Sequence, residues 1–282
     1  MASRKAERAH QEGADRQTRI IALANNKGGV GKTTTTLNLA GALVLKEYKV
    51  LAIDLDPQCN ASIAFNVIVD SRSPGVRQLL VNDSYACTEC IYNRGPFCDF
   101  IPADHDLAEI QTQLLMDPKG RMRLRNHLQH IDGAYDFVLI DCPPDMGVLT
   151  QSALVAAHEV IIPVDVGFFS VAGLARIVRI IDDIRNAYNP TLRISGVLAT
   201  KYDTRTTLSA TTVGEIREQG LPIFQTKIRI SVDIIRSQMA RTPVSIYAEQ
   251  SHGAADYNAL AAEILPAKVI PIRQRKKRAA DG

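Results

Sequence analysis

The run Asn25-Asn26-Lys27-Gly28-Gly29-Val30-Gly31-Lys32-Thr33-Thr34 has the residue types and spacing of a phosphate cradle. Glycines let successive backbone N–H groups turn inward around phosphate oxygens, and a helix starting where the run ends adds a partial positive charge. At these positions Lys32 reaches the β- and γ-phosphates and Thr33 can ligate Mg²⁺, so residues Asn26 to Thr34 read as a nucleoside triphosphate site. The pattern is a variant of G-x-x-x-x-G-K-[ST], because Asn26 stands where the first glycine is usual and a second lysine, Lys27, follows it. Two ammonium groups on one triphosphate would crowd it with positive charge unless Lys27 points elsewhere.

Three carboxylates follow short apolar runs. Asp54 and Asp56 come after residues 50–53, and Asp141 after residues 137–140. The carboxyl ends of strands are where ligands collect in open α/β sheets. Beside a phosphate cradle, Asp54 and Asp56 can hold Mg²⁺ or orient an attacking water; without one, such residues are turn-formers or helix caps. Asp141 can reach the Mg²⁺ shell through a water or Thr33. Its plainer reading is a capping residue before Pro143 and Pro144.

A third group is Cys87, Cys90 and Cys98, a C-x₂-C-x₇-C spacing that with His105 offers a ligand set for Zn²⁺ or an iron–sulfur cluster. The competing reading is small thiols that only pack. Cys59 and Cys142 lie inside the carboxylate motifs and read as packing residues. The chain has 5 cysteines, an odd number, and no secretory signal, so a disulfide framework is not expected.

The elements that must position these groups alternate regularly. Apolar runs at 20–24, 50–53, 137–140, 160–164 and 194–199 predict strands. Helical periodicity marks 33–46, 120–130, 149–157, 171–187, 209–219 and 254–265. Continuous apolar strands separated by helices predict an α/β, doubly wound, mostly parallel sheet with helices on both faces. Residues 18–265 are expected to form one domain, with an irregular Cys-containing insertion at about 66–99, a mobile basic arm at 1–17 and a basic tail at 266–282.

With 282 residues, 46% apolar and 22% charged, collagen-like, coiled-coil and wholly disordered classes are excluded. No apolar run approaches the roughly 18 residues of a membrane span, so a cytoplasmic protein is expected. Charge is uneven. Arg4, Lys5, Arg8, Arg16 and Arg19 outnumber Glu7, Glu12 and Asp15 at the start, and Lys268, Arg273, Arg275, Lys276, Lys277 and Arg278 face only Asp281 at the end. The chain as a whole is +3, which leaves the body between them net negative. A polyanion must then meet a local patch or a tail, which is either a nucleic-acid contact or a solubilising segment.

K-G-G-V-G-K-T-T resembles the deviant Walker A motif of the ParA/MinD ATPases. Asp54-Leu55-Asp56-Pro57-Gln58-Cys59-Asn60 is similar to the D-x-D-P-Q-x-N motif of ParA-type partition ATPases. Residues 135–144, ending Asp141-Cys142-Pro143-Pro144, resemble their Walker B, and Tyr202-Asp203-Thr204-Arg205-Thr206 a late-sheet segment. The similarity covers about residues 18–265.

This resemblance implies a P-loop fold and a slow, partner-stimulated ATPase with ATP as substrate and Mg²⁺ as cofactor. It also implies a homodimer closed over two ATP, with Lys27 crossing to the partner's nucleotide like a finger supplied in trans. Asp56 is implied as the hydrolytic carboxylate, with Asp54 supporting the metal side. Basic residues of the C-terminal third, Arg205, Arg229, Arg236 and Arg241, are implied to grip nonspecific double-stranded DNA; otherwise they are solvated helix faces. The implied role is segregation or positioning of plasmid or chromosome DNA with a ParB-like partner, in the cytoplasm and on the nucleoid. Two alternatives stay open: the same switch positioning a protein cargo such as a carboxysome or chemosensory cluster, and a cluster-carrier ATPase using the cysteines. The family's I-P-R-N-V-R segment is replaced by K-I-R-I-S-V-D at 227–233. With the short arm before the cradle, a helix-turn-helix domain and autoregulation at an operator are not expected; nor is the amphipathic membrane helix with which MinD-like relatives end, because Pro266 and Pro271 would spoil it.

Overall fold

The computed structural model describes residues 17–93 and 98–265. The terminal arm before Gln17 and the basic tail from 266 lie outside the described residues. Strands β1 (Arg19–Leu23), β2 (Val50–Asp54), β3 (Tyr92–Asn93), β4 (Asp99–Ile101), β5 (Phe137–Asp141), β6 (Glu159–Asp165) and β7 (Arg193–Thr200) form one sheet in the order β3-β4-β2-β5-β1-β6-β7. Every neighbouring pair is parallel except β3 with β4.

The helices in chain order are α1 (Lys32–Val44), α2 (Asn60–Ala64), α3 (Val76–Val81), α4 (Gln111–Met116), α5 (Arg123–Gln129), α6 (Val148–Ala156), α7 (Val171–Ala187), α8 (Thr207–Glu218), α9 (Val232–Met239), α10 (Val244–Tyr247) and α11 (His252–Ile264). Among the described residues no helix is long and apolar enough to cross a membrane.

The central strands are apolar throughout because both faces are covered: every residue of β2, β5 and β6 is buried. Successive side chains point to opposite faces, so Ile21 and Leu23 join one core while Ile20 and Ala22 join the other. The first core takes α1, α2, α9, α10 and α11; the second takes α3 to α8.

One close approach pins α1 to the start of α10. A Cβ on Gly41 would lie 2.3 Å from Pro243 Cβ and 2.7 Å from its Cγ. The proline ring is tied to its backbone and cannot swing aside. Gly41→Ala is therefore expected to destabilise by about 1–3 kcal/mol, read as a lower urea midpoint with an unchanged slope. A wild-type midpoint would mean that the loop yields freely.

The five expected strands are present, and each lies in a parallel pairing. The stretch 66–99 departs from expectation: it supplies α3, whose Val76, Leu79 and Leu80 are fully buried, a 3₁₀ turn at Cys87–Cys90, β3, and the approach to β4. These elements have two to six residues, too short to show a period. For the same reason α2, α4 and α10 went unforeseen.

Register sets the functional edge. Asp141 is level with Leu23 of β1 on one side and with Asp54 of β2 on the other. The cradle that follows β1 and both carboxylates thus stand in a row at the carboxyl end of the sheet, with β5 between β1 and β2.

Candidate active site

Between β1 and α1 the chain turns through Gly29 at φ +72° and Gly31 at φ +92°, left-handed backbone that glycine adopts without strain. Gly31 is the N-cap of α1 and offers no side chain to the first helical N–H groups. Those donors face the cavity at the positive end of the helix, an arrangement that suits phosphate oxygens. The Thr200 hydroxyl lies 2.8 Å from the Val30 carbonyl oxygen and 3.0 Å from that of Val164, which ties the cradle to β6 and β7.

Lys32 is buried, and its Nζ donates to the Lys27 carbonyl at 3.0 Å. Burial holds the ammonium below its ordinary value, while Asp141 and Asp56 pull it back up. Thr33 Oγ1 donates to Asp141 Oδ2 at 2.6 Å. Burial, reinforced by the Asp54 carboxylate, pushes Asp141 up to about 8. A dry carboxylate beside a threonine hydroxyl and a phosphate cradle is an oxygen donor set that fits a hard cation such as Mg²⁺.

Asp54, expected to support the metal side, accepts three hydrogen bonds from the loop that follows it. Its Oδ1 accepts the Asp56 N–H at 2.9 Å, and its Oδ2 accepts both the N–H and the hydroxyl of Ser62 at 2.8 Å. Both oxygens are thereby engaged in fixing the 55–62 loop, and burial pushes the carboxyl up to about 6. Asp56, on that loop, lines the cavity and accepts the Gln58 N–H at 2.9 Å through Oδ1.

A cavity of about 720 Å³ runs from the cradle to an apolar far end. There the lining is Ile63 and Ala64 of α2 with Ile228, Ile230, Ile235 and Met239. The polar end fits a triphosphate and the apolar end a base. Residues 228–230 run along the edge beyond β7: Ile228 N donates to Ala199 O at 2.8 Å, Tyr202 N to Ile228 O at 2.9 Å, and Ile230 N to Tyr202 O at 3.2 Å. Gln238 Nε2 donates to Thr34 Oγ1 at 2.8 Å, joining α9 to the end of the cradle. Sequence reasoning missed this wall. Its signal was the run of apolar residues in 228–239 that no core strand required.

Residues 18–194 match the AAA domain family. The chain is 36% identical over 265 residues to the chromosome partitioning protein ParA of Caulobacter vibrioides (strain NA1000 / CB15N), covering 93% of this chain and 98% of that protein. It is 33% identical over 247 residues to the sporulation initiation inhibitor protein Soj of Bacillus subtilis (strain 168), covering 87% and 98%. Among solved structures, cobyrinic acid a,c-diamide synthase from Mycobacterium smegmatis with bound ADP and magnesium aligns with a TM-score of 0.77 at 32% identity, over 87% of this chain and 93% of that one. The same protein is also solved with an ATP analogue and magnesium. This chain belongs to the ParA/Soj/MinD family of P-loop ATPases.

In this ParA-type ATPase, Lys27 points away from its own cavity. Its Nζ donates to the Phe168 carbonyl at 2.9 Å and lies 5.1 Å from the centroid of the Phe168 ring, on the loop between β6 and α7. The crowding of two lysines on one triphosphate is thereby avoided.

The four C-terminal arginines differ in what they touch. The Arg229 guanidinium is committed to Asp256, with Nε 3.0 Å from each carboxylate oxygen and Nη2 2.5 Å from Oδ1. Arg229 also lines the ATPase cavity, which makes it a poor candidate for phosphate contacts outside. Arg205 is exposed and held by Asp203 through two bonds of 2.9 and 2.8 Å. It leads into α8, whereas Arg236 lies on α9, and those helices cover opposite faces of the sheet. Arg241 contacts the Asn66 side chain.

The cysteine ligand set does not assemble. Cys87 and Cys90 pack in one core and Cys98 in the core on the opposite face, while His105 Nδ1 lies 3.0 Å from the Pro57 carbonyl near Cys59. Burial pushes the Cys87 and Cys90 thiols up to about 11 and about 12, as expected of packed thiols. Among the described residues no group of three His, Cys, Asp or Glu side chains is placed to hold a metal ion.

Proposed function

We propose that this ATPase closes face to face with a second copy over two Mg·ATP, binds nonspecific duplex DNA in that state, and is released by hydrolysis that a ParB-like partner accelerates. The cycle would segregate or position plasmid or chromosome DNA in the cytoplasm, on the nucleoid. The observation that carries this reading is the direction of Lys27: an exposed ammonium turned out of its own cavity, available to another subunit's triphosphate.

Within one site the residues divide the work. Backbone N–H groups of residues 28–34 and the Lys32 ammonium grip the β- and γ-phosphates. Thr33 and Asp141 would hold Mg²⁺, which when bound would neutralise phosphate charge and align the γ-phosphoryl group. Asp56 orients water toward the γ-phosphorus and takes its proton as the new P–O bond forms and the bond to the β-γ bridging oxygen breaks, leaving ADP and phosphate. Asp54 holds Asp56 in place. Arg205, Arg236 and Arg241 remain the exposed cations for DNA phosphates; pairing two copies doubles those contacts.

Sedimentation with a non-hydrolysable ATP analogue and magnesium is expected to give two-subunit particles, and single subunits throughout would overturn the reading. In the same buffer, retention on random-sequence DNA should require the analogue. It should fall by about 10³-fold or more between 50 and 200 mM salt if about six phosphates are neutralised. Equal retention without nucleotide would transfer binding to the terminal segments.

A further inference from the structure

The wall at the base end of the cavity is held by a device outside the nucleotide motifs. Helix α11 presents two carboxylates seven residues apart, hence on one face and two turns apart. Glu263 accepts the backbone N–H groups of Gln225 at 2.7 Å and Thr226 at 3.0 Å. Asp256 accepts the backbone N–H of Arg229 at 2.9 Å and grips the same residue's guanidinium through its fork. The Asp256 side chain is buried while that of Arg229 is half-buried, so the pair is charge-assisted with its carboxylate side shielded from water.

The position of the wall depends on this grip. Ile230 is 60% exposed and has little packing of its own to hold it, yet it lines the cavity beside Ile228. The two residues flank Arg229, the residue that Asp256 fastens at both backbone and side chain. The cradle, in contrast, is anchored by β1, α1 and Thr200, with no bond to Asp256.

We propose that Asp256 is a positioning residue for the nucleoside: through Arg229 it holds residues 228–231 as the wall against the base, and so sets affinity for the adenosine part while the cradle alone grips the triphosphate. The inference rests on the reading of the cavity as the ATP site. Loosening the wall leaves the phosphates, the metal ligands and Asp56 where they are. It therefore acts on substrate binding and leaves the chemical step alone, and with slow chemistry KM follows the dissociation constant.

The test is steady-state ATP hydrolysis by the full chain, wild type against Asp256→Asn and Arg229→Lys. Asp256→Asn is expected to raise KM by about tenfold or more with kcat within about twofold, because it removes the charge that fastens the half-buried Arg229 guanidinium and weakens the grip on the Arg229 backbone N–H. Arg229→Lys keeps the charge and the backbone bond but loses the planar fork, and an intermediate rise in KM is expected. It carries the test alone if Asp256→Asn does not fold. An unchanged KM in the folded variants, or a kcat that falls as much as KM rises, would overturn the inference, the second outcome marking a general structural support. A wild-type chain without saturable ATP turnover would instead remove the nucleotide reading of the cavity itself.

Discussion

Lys32→Ala is expected to weaken ATP binding by about 10²–10³-fold, to below detection in calorimetry at ordinary protein concentrations. Lys32 is the buried cation at the cradle, its ammonium held at the Lys27 carbonyl where the chain turns around the phosphates. Each charge-assisted hydrogen bond to a phosphate oxygen contributes about 1.5–3 kcal/mol, and the lysine supplies two or three donors to the β/γ region. Stability should move the other way or not at all. Burial disfavours the charged ammonium in the nucleotide-free protein, so its removal relieves a desolvation cost. A thermal melt near the wild-type value together with lost binding would separate a broken cradle from an unfolded one. Wild-type affinity in the folded variant would mean that the phosphates sit elsewhere.

Asp56→Ala is expected to lower the hydrolysis rate by about 10²–10⁴-fold, the usual contribution of a positioned acid–base group, while ATP-dependent pairing survives. Asp56 lines the cavity but is not part of the cradle, so the grip on the triphosphate stays intact. Burial raises its pKa, which strengthens it as a proton acceptor at neutral pH. Single-turnover hydrolysis and sedimentation on one preparation read the two properties separately. A wild-type rate would remove Asp56 from the chemistry; loss of pairing together with rate would give it a role in closure instead.

The cradle and the strand-end carboxylates stand out without coordinates because local order along the chain marks them, whereas the hydrolytic role proposed for Asp56 comes from the family resemblance. Gly29, Gly31 and Lys32 specify a turn and a helix start within a few residues, and Asp54 and Asp141 end strands whose apolar character is plain. Elements of four to six residues, such as α2 and α3, were invisible because they complete too few turns to show a period. The wall of the cavity was misjudged for another reason: a basic residue looks the same in a sequence whether it faces solvent or a carboxylate. Arg229 read as a surface cation, and only the packing of α11 against the edge of the sheet supplied Asp256, 27 residues away.

The sequence by itself determined the class of fold, the strand-and-helix alternation around the cradle, and the kind of chemistry at the carboxyl edge of the sheet. Backbone conformation and amphipathic pattern are encoded by neighbours, and register then follows from which faces must be buried. The tertiary structure alone decided that Lys27 leans on Phe168, 141 residues distant, that Asp54 holds a loop through Ser62, and that Cys98 faces away from Cys87 and Cys90. Such pairings depend on how whole elements dock. The free energy of any one of them is small beside the burial of the two cores, so packing of the cores chooses the pairings and no local motif can announce them.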